Sequence, residues 1–131
     1  MIIPQFTPEQ QKENLKKGVE ALRSNPLKAT GEMSSSDGGR CCLCVLKDVA
    51  EDLCGLARGS LLCNVSFPDG KLAEVFGLLP NVKYINYGFD FSLYINDDYT
   101  IFNASELNDG DGCDELSHKE IADLIEKQYL V

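Results

Sequence analysis

Apolar residues recur at helical spacing in three stretches of this chain and at alternating positions in a fourth, and these patterns predict its main elements. In the first stretch Leu15, Val19 and Leu22 form a stripe with Ala21 beside it. Thr7-Pro8-Glu9-Gln10 opens it. Thr7 can cap, Pro8 suits a first helical position where no N–H is required, and Gln10 can reach back to the Thr7 amide. Gly18 weakens such a helix by about 1 kcal/mol relative to alanine unless close packing needs the missing side chain. Asn25-Pro26 ends it, because the residue before proline avoids helical dihedrals.

The second stretch, 41–54, predicts a central helix whose apolar side carries Leu43, Leu46, Val49, Ala50 and Leu53 with Cys42 and Cys54. Lys47, Asp48, Glu51 and Asp52 are expected to face water, and Gly55 to stop the helix. In the third, Ser117 caps and Glu120 completes a capping box ahead of Ile121, Leu124 and Ile125, with Gln128 or Tyr129 extending the buried side. His118 would then lie exposed in the first turn. Asp69 can begin a shorter helix through Leu72, Val75 and Phe76 that closes at Gly77. The alternating region comprises 82–87, 89–95 and 99–102, with Asn96-Asp97-Asp98 as a hairpin turn, and its aromatic residues are expected to pack against a helix. Residues 60–65 read as strand or extended loop, and 27–39 as a polar loop.

These elements predict a single α+β domain over residues 1–131, with three main helices packed on a small antiparallel sheet that buries one face against them. The 131 residues are 44% apolar and 25% charged, an ordinary globular composition. No apolar run approaches the roughly 20 residues of a membrane-spanning helix. The start, Met1-Ile2-Ile3-Pro4-Gln5-Phe6, lacks the basic leader and long apolar region of a secretory signal, so a cytoplasmic protein with reduced thiols is expected. On that reading the six cysteines are mainly small hydrophobes rather than a disulfide framework.

Charge changes the picture more than composition does. Residues 1–40 carry six basic and five acidic side chains, whereas 41–131 carry six basic and sixteen acidic ones. Between Asp97 and Glu126, ten carboxylates stand against Lys119 alone. Such a surface repels phosphate backbones, which argues against direct nucleic-acid binding through this half. It suits solubility, and it also suits steering of a basic protein partner. Asp109, Asp111, Asp114 and Glu115 are the candidate partner-binding residues.

Other chemistry is thinner. Cys41 and Cys44 have the gap of a zinc knuckle and Cys113 with His118 could supply a second pair, but structural zinc pairs sit on turns and these surroundings are helical. Asp109, Asp111 and Glu120 occupy positions one, three and twelve of a calcium-loop pattern, yet Asp114 replaces its glycine and Cys113 an oxygen ligand. Cys41 or Cys42 at a helix start could be nucleophilic, but nothing in the spacing brings His118, the only histidine, beside them as a base. No enzyme activity, metal or cofactor is therefore expected. A small anionic ligand remains open, held by Ser35, Ser36 and Arg40 where a glycine-rich loop enters a helix.

Ala21-Leu22-Arg23-Ser24 followed by Cys41-Cys42-Leu43-Cys44-Val45-Leu46, and Leu107-Asn108-Asp109 followed by Lys119-Glu120-Ile121-Ala122-Asp123-Leu124-Ile125-Glu126, resemble a family of small uncharacterised phage and prophage proteins. Members of that family join an "ALRSG…CCLGVL" half to an "LND…SFAEIADLIE" half. This chain departs from the pattern at Cys44, at Lys47 and over the acidic insertion 110–116. The resemblance implies a viral or prophage origin, action in the host cytoplasm and no established activity. The expected function is a non-enzymatic accessory protein that occludes or sequesters a host component, such as part of a defence system. The alternative is a binder of a phosphate or nucleotide signal, using the 34–40 loop and an aromatic face.

Overall fold

The computed structural model describes residues 5–25, 41–55, 74–78, 91–95, 100–110 and 113–130. They form an α+β fold, mostly helical, with a two-stranded antiparallel sheet. The helices are α1 (Pro8–Ser24), α2 (Cys42–Leu53), α3 (Ala104–Asp109) and α4 (His118–Tyr129). The strands are β1 (Ser92–Ile95) and β2 (Thr100–Asn103), with Leu93 opposite Phe102 and Tyr94 opposite Ile101.

The helix ends follow the local chemistry. At α1, Thr7 Oγ1 accepts from Gln10 N–H at 3.2 Å, while Gln10 Oε1 accepts from Thr7 N–H at 2.9 Å. At α4, Ser117 and Glu120 make the same reciprocal pair, each bond 3.1 Å. Each box satisfies two amides that the helix itself leaves without acceptors. Asn25 closes α1 in an extended conformation, as its proline neighbour requires. Gly55 follows α2 at φ +69°, the left-handed region that a side chain disfavours, and its N–H bonds to Asp52 C=O.

One contiguous apolar cluster joins the elements. Leu15, Val19 and Leu22 of α1 meet Cys42, Leu46 and Ala50 of α2, Ile121, Ala122 and Ile125 of α4, and Leu93 of β1. Each large side chain buried here is worth roughly 1.5–3 kcal/mol. α1 packs on both α2 and α4, α2 on α3, and α4 on β1. A helical turn at 74–76 completes the core with Val75 and Phe76. It is clamped from α1, because Gln11 Nε2 donates to Glu74 C=O at 2.6 Å and the buried Asn14 Nδ2 to Val75 C=O at 2.9 Å. Gly77 ends it at φ +69°, where an added Cβ would meet the Gln11 side chain at 3.2–3.5 Å.

Several expectations need correction. Lys47 and Glu51 do not face water; they are 4% and 1% exposed. The amphipathic pattern of α2 is overridden because the helix is enclosed on more than one side, and Asp52 keeps the exposed position. His118 is likewise buried, at 4% exposure. Its Nδ1 lies 3.0 Å from Asn25 C=O, and since a carbonyl can only accept, Nδ1 carries the proton. The short helix α3 was not expected at all. Residues 27–39, 60–65 and 82–87 lie outside the described residues.

Candidate functional site

Three groups of residues raise a functional question: the thiols with His118, the acidic segment after α3, and the 34–40 loop. Ser35, Ser36 and Arg40 of that loop lie outside the described residues, as does Asp111.

The thiols around the start of α2 are built into the scaffold. Cys41, at ψ 162°, is the residue that caps α2, and its Sγ accepts from Cys44 N–H at 3.4 Å. A sulfur is a weak acceptor, so this is a soft substitute for the usual hydroxyl or carboxylate cap. The stronger acceptor comes from across the fold: Asn108 Oδ1 takes the Cys42 N–H at 3.0 Å, while Asn108 Nδ2 donates to Asp109 Oδ1 at 2.8 Å. Cys42 Sγ donates to Ala104 C=O at 3.7 Å, and Cys113 Sγ to Glu106 C=O at 3.5 Å. Both contacts use the S–H as donor. Cys41, Cys42 and Cys44 are buried. Burial pushes the Cys54 thiol up from its ordinary value, away from the reactive thiolate. His118 is held by Asn25 at the end of α1. Among the described residues no group of three or more His, Cys, Asp or Glu is placed to hold a metal ion.

A labelling experiment follows from this burial. In the native protein, Cys41, Cys42 and Cys44 are expected to resist a charged thiol reagent and to react once urea unfolds the chain. Site-resolved mass spectrometry reads the outcome; labelling of Cys41 or Cys42 at the rate of an open thiol would contradict the packed arrangement.

The described part of the acidic segment, 113–116, is tied to α3. α3 ends at Gly110, whose φ of +73° turns the chain back; a Cβ there would meet Glu115 atoms at 3.0–3.3 Å. Leu116 N–H then bonds to Leu107 C=O at 2.8 Å, closing the loop against α3, and the Cys113 contact with Glu106 lies between. From this tied loop Asp114 and Glu115 are exposed. Asp109 is only half-exposed, with one carboxylate oxygen accepting from Asn108, so it belongs as much to the α2 cap as to the surface. The structure thus keeps Asp114 and Glu115 together as outward carboxylates and gives Asp109 a second role that its position in the sequence did not announce.

A further charged cluster joins α1 to α4. Arg23 Nη2 donates to Asp123 Oδ1 at 2.8 Å and its Nη1 to Glu126 Oε2 at 2.9 Å. The two carboxylates stand three residues apart on one face of α4, and they also line a surface depression with Lys16, Lys127 and Leu130. Since the carboxylates are already engaged by the guanidinium, this depression reads as the edge of an interhelical ion-pair joint.

No helix among the described residues is long and apolar enough to cross a membrane. Comparison with known protein families, with characterised proteins and with solved structures finds no match.

Proposed function

We propose that this chain is a non-enzymatic binding protein that occludes or sequesters a basic partner, acting as a phage or prophage accessory protein on a component of the host cytoplasm. The observation that supports this reading most is the tie between residues 113–116 and α3: the Leu116–Leu107 bond and the Cys113–Glu106 contact hold the residues among which Asp114 and Glu115 are exposed. Residues already tied to a helix lose less entropy when a partner binds, and a cluster of like charges accelerates encounter with a surface of opposite sign. The residues most suited to catalysis are engaged elsewhere, Cys41 as a cap, Cys42 in the core and His118 against Asn25.

The test pairs capture with charge reversal. Tagged protein incubated in bacterial host lysate at low salt is expected to retain a stoichiometric partner, and the double substitution Asp114→Lys, Glu115→Lys to reduce that retention roughly tenfold, as does raised salt. Absence of a stoichiometric partner, or equal retention by the reversed variant with an unchanged circular dichroism spectrum, would discard the reading.

A further inference from the structure

β1 has both edges occupied. One pairs with β2; on the other, Gln128 of α4 behaves as a one-residue surrogate strand. Its side-chain Oε1 accepts from Tyr94 N–H at 2.7 Å and its Nε2 donates to Tyr94 C=O at 2.8 Å, while the Tyr129 hydroxyl donates to Ser92 C=O at 2.8 Å. These bonds fix the phase of the hairpin. In an antiparallel pair, a residue whose N–H and C=O point away from its partner strand faces one that does the same. Tyr94 stands opposite Ile101, so the Ile101 N–H and C=O point out of the far edge of β2. No hydrogen bond between described residues engages them.

Two more observations attach to that edge. Tyr94 and Ile101 share one face of the hairpin as a directly opposed pair, 44% and 54% exposed. Opposed residues of a non-hydrogen-bonded pair approach closely, so together they form a single apolar step beside the edge. The surrounding sequence is uniformly acidic: Asp97 and Asp98 precede β2, Glu106 and Asp109 follow it, and no Lys or Arg occurs between Lys83 and Lys119.

We propose that the outer edge of β2 accepts an extended peptide segment as a third strand, one with an apolar side chain over Ile101 and basic residues at its ends. The inference rests on the partner-binding reading and names the part of the partner that docks. Backbone hydrogen bonds to an exposed edge supply affinity in such strand addition, and side chains and flanking charge select the sequence. A second copy of this chain is the wrong occupant on charge grounds: the sequence on both sides of β2 carries carboxylates and no Lys or Arg, so two copies repel each other there.

The probe is a fluorescein-labelled nonapeptide of alternating threonine and valine with two lysines at each end, titrated into the full chain and followed by anisotropy. Two variants separate the contributions. Ile101→Pro removes the outward N–H and leaves the ladder to β1 intact, because that ladder uses the neighbouring residues. Ile101→Lys keeps the N–H and places a like charge beside the peptide. Each is expected to weaken binding roughly tenfold, equivalent to about 1.4 kcal/mol. The proposal is overturned by absence of peptide binding, by affinity unchanged in both variants, or by a nonalysine peptide that binds equally well. It is also overturned by sedimentation showing that the chain dimerises and that Ile101→Lys makes it monomeric. If the edge fails these tests while the Asp114/Glu115 reversal still releases the lysate partner, strand addition is wrong and the partner-binding reading stands. The opposite pattern removes the acidic-loop reading alone.

Discussion

Replacing Asn108 with alanine is expected to lower the free energy of unfolding by about 2–3 kcal/mol, from the lost helix cap together with a buried donor left without an acceptor. Asn108 is fully buried and stands between two elements. Its carbonyl oxygen takes the first amide of α2, and its amide nitrogen satisfies Asp109 at the end of α3. At the same helix start the Cys41 sulfur takes the Cys44 N–H rather than that of Cys42. Asn108→Asp keeps an oxygen for the Cys42 N–H but sets a second carboxylate against Asp109, so it too is expected to destabilise, and more at neutral pH than in acid, where protonation relieves the repulsion. Urea denaturation of both variants measures these effects. A loss below about 0.5 kcal/mol for the alanine variant would place it in the range of ordinary surface substitutions and show that Asn108 does not hold α2.

The Asn108 contact also marks the boundary of what the residues alone could reveal. Thr7 with Gln10, Ser117 with Glu120, Asn25 before proline and the glycine stop at Gly55 are local devices, written within three or four residues of the helix end they control, and the structure places all of them as expected. The hairpin was legible for the same reason: an alternating pattern on both sides of a polar turn leaves few registers. The cap on α2 comes from a residue 66 positions away, and the Arg23 ion pairs span 100 and 103 positions. No local pattern encodes such pairs. Yet the stretches 21–24, 41–46, 107–109 and 119–126 are the ones these contacts join, Arg23 to Asp123 and Glu126, and Cys42 to Asn108. In this fold those stretches act as fasteners between helices.

The errors have an equally physical origin. A helical stripe predicts burial correctly only when one side of the helix is covered. α2 is enclosed more fully, so Lys47 and Glu51 are buried with it. A place in the first turn of α4 predicts an exposed His118, but that turn abuts the end of α1, where the Asn25 carbonyl needs a donor because the chain is about to leave the helix. α3 is six residues long, too short for a periodic signal, although Asn103-Ala104-Ser105-Glu106 has the spacing of a cap followed by its reciprocal acid. Of the candidate site, the clustering of carboxylates was legible. The bonds that tie residues 113–116 to α3 were not, because Leu107, Glu106 and Cys113 contribute through backbone groups and a thiol contact.

Gly18 gives the sharpest test of packing between α1 and α2. A Cβ built on Gly18 would lie 2.8 Å from Leu46 Cδ2 and 3.5 Å from Phe76 Cε1, so the helices meet where α1 has no side chain. Leucine at this position is expected to destabilise the protein by about 3 kcal/mol, the upper end of overpacking in a close-packed core. Alanine is a subtler case. It gains about 1 kcal/mol of helix propensity, and the Leu46 methyl must move to admit it. Leu46→Ala alone is expected to cost about 2–5 kcal/mol, because Leu46 is fully buried and its removal leaves a cavity facing Gly18. In the double variant Gly18→Ala, Leu46→Ala, the new methyl no longer meets the Leu46 side chain. The two changes should therefore combine non-additively, the pair being more stable than the sum of the single effects by about 0.5–3 kcal/mol. Thermal and urea unfolding of the four proteins supply the cycle. Strict additivity would mean that Gly18 and Leu46 do not touch, and the packing of α1 on α2 would have to be drawn differently.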